Sequence, residues 1–318
     1  MRILVTSTSL CRTPEAPALQ RLRAAGHEVV LSTAGRPLDG EELIRALRDV
    51  DGVIAGVDSY TREVIEASGS LRVISRYGVG TDKIDLAAAR ERQVAVTVTP
   101  GANATAVAEL AIGLAFAVAR GIPQLDAQVR AGGWPRGQGV ELSGRRLGVI
   151  GLGAIGRKVA AMGAGLGMTV HGSDPNVPQQ TLRAAGIVPG DLDEVVAAAD
   201  VLSLHIPLTP QTRHLIGAGR IKAMPAGAII VNTARGGLID EDAALAALDS
   251  GRLHGIGLDA YEVEPPVDSP LVGHPRVVST PHSGAHTAEA VERMAEGAVT
   301  NLLQVLAGED CPNLVTGG

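Results

Sequence analysis

An apolar run over residues 147–150 stops at Gly151-Leu152-Gly153-Ala154-Ile155-Gly156 and gives way to an Ala- and Met-rich stretch that can continue a helix. The spacing is G-x-G-x-x-G. The first glycine permits a tight turn, the second admits a pyrophosphate to the backbone, and the third lets the helix pack closely on the strand. The helix N-terminus then offers its amides to the phosphates, with Ala154 and Ile155 in its first turn. In a chain with 40 glycines the pattern alone is a weak signal. Its context strengthens it. A second strand-like run, Met168-Thr169-Val170-His171-Gly172-Ser173, ends at Asp174, where a ribose-binding carboxylate belongs. Asp174 accepts ribose hydroxyls and repels a 2′-phosphate, and no arginine follows it directly, so NAD is expected over NADP.

The rest of the chain repeats a strand–helix rhythm. Before the glycine motif, strands are expected over 3–6, 29–32, 52–55, 73–75 and 94–98, and helices over 17–25, 40–48, 62–67 and 83–90. This alternation specifies a parallel sheet with helices on both faces. It is complete before residue 100, so the glycine motif begins a second α/β layer. There strands are expected over 201–205, 228–232, 255–259 and 277–280, and helices over 192–199, 209–215, 219–223 and 241–250. Between the two layers, a helix from about Asn103 to Arg120 is apolar nearly all round. Such a helix is buried on more than one side, in a core or against a partner subunit. The loop after it carries the only Trp, Trp134, beside Arg136. A last amphipathic helix is expected over 287–307, with the tail returning to the first layer. The expected division is therefore 1–98 with 287–318 as a substrate domain, and 99–286 as the nucleotide domain.

Bulk properties narrow the function. The formal net charge is −6 and aromatics are 2% of residues, which argues against a nucleic-acid surface. No apolar stretch reaches membrane-spanning length, no signal peptide is evident, and the expected compartment is the cytoplasm. Cys11 and Cys311 have no metal-ligand spacing and cannot make a disulfide framework, though one pairing between them stays open. No metal is expected.

Three polar residues follow later strands: Arg235 in Asn232-Thr233-Ala234-Arg235-Gly236-Gly237, Glu264 in Asp259-Ala260-Tyr261-Glu262-Val263-Glu264-Pro265, and His282 in Pro281-His282-Ser283-Gly284. Singly, each has an ordinary structural reading as a loop cation, a turn acid or a turn cap. Together, at the carboxyl ends of strands in one sheet, they converge on one cleft. The set suffices for ketone reduction. Arg binds a carboxylate as a planar fork, His moves a proton near neutral pH, and a neighbouring carboxylate favours imidazolium.

With these motifs in this order, the chain resembles the D-isomer-specific 2-hydroxyacid dehydrogenases. Arg76-Tyr77-Gly78-Val79-Gly80-Thr81-Asp82 adds to the match. The resemblance covers the whole chain. It implies an α/β fold of two doubly wound parallel-sheet domains, a Rossmann nucleotide domain inserted into a flavodoxin-like substrate domain. It implies Arg235, Glu264 and His282 as the catalytic trio. It also implies cofactor contacts from Asp259, Thr233, Ala234, Arg235, His282 and Gly284, with His205, Pro207 and Thr212 along the cofactor's edge. Gly78, Val79 and Gly80 would offer amides to the substrate carboxylate, with Asn103 nearby. The family dimerises through the nucleotide domain, so a homodimer is expected.

Within the family the motifs look most like phosphoglycerate dehydrogenases, which makes 3-phosphoglycerate or phosphohydroxypyruvate the expected substrate. Arg76, and Arg136 from a partner, would then hold the phosphate. The alternatives are a glyoxylate or hydroxypyruvate reductase, or a reductase of a pathway-specific 2-oxo acid. Val79 in place of a Lys disfavours phosphite oxidation. A reading from a different class is an NAD-sensing, corepressor-like binding protein.

Overall fold

The computed structural model describes residues 1–316, and the chain divides into two compact units. The first is Met1–Asn103 with His286–Gly318, and the second is Ala104–Ala285. The second unit is thus inserted into the first along the sequence.

The first unit holds five strands, β1 (Arg2–Val5), β2 (Glu28–Leu31), β3 (Gly52–Ala55), β4 (Val73–Arg76) and β5 (Ala95–Thr97). All pair in parallel in the order β2-β1-β3-β4-β5, which is flavodoxin-like. The order follows from right-handed crossovers through helices such as Pro17–Ala24 and Arg62–Ala67. The helix Ala288–Ala307 returns to this sheet, where the buried Ser75 hydroxyl donates to the Ala298 carbonyl. Past it, the chain pairs with β5. Val98 donates to Asn313 and Val315 donates to Val96.

The second unit holds seven parallel strands: β6 (Arg146–Ile150), β7 (Thr169–Ser173), β8 (Val188–Pro189), β9 (Val201–Leu204), β10 (Ala228–Asn232), β11 (Leu253–Leu258) and β12 (Val277–Ser279). Their order is β12-β11-β10-β9-β6-β7-β8, a Rossmann order whose direction reverses between β6 and β9. Alternate residues of each strand feed opposite cores. Ile230 packs with Leu202, Leu204 and Ile256 on one face, while Ile229 and Val231 pack with Leu147 and Val149 on the other. A sheet covered on both faces reads as near-continuous apolar runs, as these strands do.

The helix Ala104–Arg120 buries Ala108, Ala111, Leu114, Ala115 and Val118 in the second core. Ile112, Phe116 and Ala117 along its other side are only half-buried. The next helix, Ile122–Arg130, carries Ile122, Leu125 and Val129 at helical spacing but buries no residue.

Residues 209–215, expected to be helical, form turns instead. The Thr209 amide donates to the Thr212 hydroxyl at 2.7 Å, and that hydroxyl donates to the Pro207 carbonyl at 2.8 Å. Side chains that bond local backbone compete with helix formation. His214, at φ +50°, then closes off any right-handed continuation.

Among the described residues no single helix is long and apolar enough to cross a membrane. Both cysteines are free thiols.

Candidate active site

The glycine motif sits where the second sheet reverses direction. Gly151 follows β6 at φ +88°, and a Cβ there would lie 2.4 Å from the His205 carbonyl oxygen at the end of β9. A Cβ on Gly156 would lie 1.9 Å from the Gly151 carbonyl oxygen. Backbone packing therefore requires glycine at both positions. Gly153 differs, because a Cβ there would meet nothing within 4 Å. It opens the helix Ala154–Gly165 without a side-chain cap, so no capping side chain takes up the first amides, which include those of Ala154 and Ile155. That is the room a pyrophosphate needs.

Asp174 lies beside this turn, just past β7. One oxygen accepts from the Leu152 amide at 2.7 Å and the other from the Asn176 amide at 2.8 Å, which fixes the carboxylate against the glycine loop. Two buried polar atoms nearby have no protein partner, His205 Nδ1 after β9 and Thr233 Oγ1 after β10. Burial pushes the His205 imidazole down to about 4, so it is neutral near pH 7, and its Nε2 pairs with the Ser203 hydroxyl at 2.8 Å. Buried polar atoms are rarely left unpaired, and two of them beside the glycine turn fit a polar ligand such as a dinucleotide. Pro207 and Thr212, expected along the cofactor's edge, are bonded to each other within their own loop.

Arg235 follows β10 on a turn held by Asn232, which is fully buried. Asn232 donates from Nδ2 to the Arg235 carbonyl at 2.7 Å and accepts from the Ala234 amide at 3.0 Å. An Asx side chain at a strand end is a recognisable turn signal. The Arg235 guanidinium donates to the Ala234 carbonyl at 2.7 Å. Gly236 then passes so close to the segment carrying Glu264 that a Cβ would lie 1.9 Å from the Tyr261 carbonyl carbon. This approach draws the Arg235 and Glu264 segments together.

Glu264 and His282 form a pair. His282 Nδ1 lies 2.8 Å from Oε1 and 3.0 Å from Oε2 of Glu264, and the Tyr261 amide also donates to Oε1 at 3.3 Å. His282 Nε2 has no partner among the described residues. The His282 backbone is at φ +49°, a conformation that a non-glycine residue keeps only where its surroundings enforce it. Asp259, 2% exposed, does the enforcing. Its carboxylate accepts from the Thr280 hydroxyl at 2.6 Å and from the Ser283 and Gly284 amides at 2.8 Å each. The Tyr261 hydroxyl adds a bond to the Thr280 carbonyl at 2.7 Å. Asp259 and Gly284, expected against the cofactor, are thus bonded to each other at the loop that carries His282.

The expected substrate residues divide between the units. Arg136 belongs to the second and is exposed. Arg76 ends β4 in the first. Its guanidinium donates to the carbonyls of Gly80 at 3.0 Å, Ala55 at 3.1 Å and Tyr77 at 2.8 Å. Gly78 exchanges bonds with Thr99, and Val79 projects into solvent. Asn103, half-buried, closes the first segment of that unit.

A family profile described as "D-isomer specific 2-hydroxyacid dehydrogenase, NAD binding domain" matches residues 112–284. The D-3-phosphoglycerate dehydrogenase of Methanocaldococcus jannaschii is 43% identical over 302 residues, which cover 94% of this chain and 57% of that protein. The hydroxypyruvate reductase of Thermotoga maritima is 41% identical over 282 residues, 87% of this chain and 91% of that protein. The chain spans about half the length of the phosphoglycerate dehydrogenases it matches. Among solved structures, TT0316 from Thermus thermophilus superposes with a TM-score of 0.87 at 41% identity, covering 99% of this chain and 100% of that one. The chain belongs to the D-isomer specific 2-hydroxyacid dehydrogenase family, and the family's NAD-binding domain lies within its second unit.

Proposed function

We propose that the protein is an oxidoreductase that interconverts a small D-2-hydroxy acid and its 2-oxo acid with NAD(H). The observation that carries this reading is the His282–Glu264 pair, presented on an enforced loop in the same sheet as Arg235. The glycine turn at 151–156, Asp174, His205 and Thr233 are the residues that would hold NAD(H), which supplies the hydride when bound. Arg235 binds the substrate carboxylate. His282 gives a proton from Nε2 to the carbonyl oxygen in reduction and takes it back in oxidation. Glu264 holds the ring through Nδ1, which leaves Nε2 for the substrate. Gly78, Val79, Gly80 and Asn103 are the substrate-binding candidates of the first unit.

A phosphorylated three-carbon acid is the first candidate substrate, by similarity to the phosphoglycerate dehydrogenases. One observation favours a second reading, hydroxypyruvate or a similar unphosphorylated acid. The Arg76 fork is bonded to three carbonyls of its own surroundings. The test is NADH consumption with phosphohydroxypyruvate, hydroxypyruvate, glyoxylate and pyruvate, for the wild type and His282→Ala. A preference of more than about tenfold in kcat/KM, worth about 1.4 kcal/mol in the transition state, decides between the two substrates. No turnover of any 2-oxo acid, or full activity in His282→Ala, would overturn the assignment.

We also infer a cytoplasmic homodimer. Its compartment is supported by the two free cysteines. Its interface is supported by the half-buried side of the helix Ala104–Arg120, continued by Ile122, Val129 and Trp134, which are 52%, 49% and 81% exposed. Apolar surface of this extent is characteristic of a subunit contact. A monomeric mass by light scattering would refute it.

A further inference from the structure

A second histidine–carboxylate pair lies two residues from Glu264. His214 Nε2 is 2.5 Å from Glu262 Oε1, and Arg213 Nη2 is 3.5 Å from Glu262 Oε2. Consecutive residues of one loop therefore hold both oxygens of one carboxylate. The same loop is stitched to the Arg235 segment. The His214 amide donates to the Gly237 carbonyl at 2.7 Å, Ile216 donates to Leu238 at 3.0 Å, and Asp240 donates back to Ile216 at 3.1 Å. The loop thus joins the segments that carry Arg235 and Glu264.

The cluster is poorly placed to stabilise the fold. The His214 and Glu262 side chains are 42% and 28% exposed, and ion pairs in such surroundings contribute little. His214 also adopts φ +50°, which costs free energy in a non-glycine residue. A strained residue maintained for a weakly stabilising contact, beside a proton-transfer pair, suggests a role in geometry.

We propose that Glu262, held by Arg213 and His214, is a positioning residue that sets where Glu264 meets His282. The inference rests on the reading of Arg235, Glu264 and His282 as the reacting site. Between Tyr261 and Pro265 the chain has no helix or strand to fix it, and the Glu262 side chain ties this stretch to the loop that carries Arg213 and His214. Small misplacements of a catalytic group lower turnover strongly.

The experiment compares the wild type with Glu262→Ala, Glu262→Gln, His214→Asn and the Glu262→Ala/His214→Asn double variant. Asparagine tolerates the left-handed backbone at position 214 but cannot reproduce the imidazole contact. Glu262→Ala and His214→Asn should each lower kcat about tenfold, with KM for the 2-oxo acid nearly unchanged. NADH affinity and Tm should hardly move. Glu262→Gln, which still accepts a bond from His214, should recover most of the rate. The double variant should be no slower than either single one. A wild-type kcat in Glu262→Ala, or a loss that tracks equal losses in Tm and NADH affinity, would overturn the proposal. A wild type that reduces no 2-oxo acid would instead overturn the reading of the site on which it rests.

Discussion

Arg76 closes β4 ahead of Tyr77-Gly78-Val79-Gly80, and Arg235 lies just past β10 ahead of Gly236-Gly237. In sequence the two are alike: an arginine at the carboxyl end of a parallel strand, followed by glycines. In the fold, each loop is organised by a different residue. The loop after β4 is folded by the arginine itself, whose guanidinium donates to the carbonyls of Ala55, Tyr77 and Gly80. The loop after β10 is folded by Asn232, which pairs with the Ala234 amide and the Arg235 carbonyl. After β10 a neighbour, rather than the arginine, takes over the main task of shaping the loop. Buried asparagine does this well, since one side chain supplies both a donor and an acceptor.

The largest expected effect is at Arg235. Arg235→Lys keeps the charge and loses the planar fork, so kcat/KM should fall by about 10²–10³-fold while NADH affinity holds. Steady-state kinetics beside a binding titration will show it. Near-normal kinetics would mean that Arg235 is a loop brace like Arg76, and the contrast would collapse.

A paired measurement sharpens the comparison at the level of the loops. Asn232→Ala and Arg76→Ala each remove the residue that folds a loop and leave backbone groups unpaired. Each should destabilise its unit by about 1–3 kcal/mol, read by denaturant unfolding. Arg76→Ala should lower activity toward phosphorylated and unphosphorylated 2-oxo acids alike. A loss confined to the phosphorylated acid would make Arg76 a phosphate ligand after all.

The smallest effect comes from a third strand end, that of β9. His205 has its folded value depressed from 6.5 to about 4 by burial. Between those values the unfolded chain takes up a proton at this position and the folded chain does not. Its contribution is therefore intact above pH 6.5 and is lost as pH falls toward 4. His205→Asn should flatten the decline of Tm over that window. An unchanged slope would mean that the imidazole is solvated enough to titrate normally.

Much of the fold was legible because its signals are local. The strands over Gly52–Ala55 and Ala228–Asn232 and the helix Arg62–Ala67 fall on the expected residues, because apolar runs and turn residues mark their ends within a few positions. The glycine motif was legible for the same reason. The turns at 209–215 were not, because Thr209 and Thr212 bond the backbone in a way that periodicity does not register. Among the site residues, Arg235, Glu264 and His282 stood out by residue type and position after strands. The residues that hold them did not.

The sequence by itself determined the two α/β layers and the glycine turn, since each is encoded within a short window of chain. Tertiary structure alone decided where side chains of ambiguous chemistry are directed. Asp259 meets the amides of Ser283 and Gly284, more than twenty residues on. Glu262 meets His214 across 48 positions, and the Arg76 fork reaches back 21 positions to Ala55. A carboxylate or a guanidinium accepts many partners of equal chemistry. Only the packing of the strands and loops around it selects which of them lies within hydrogen-bond distance.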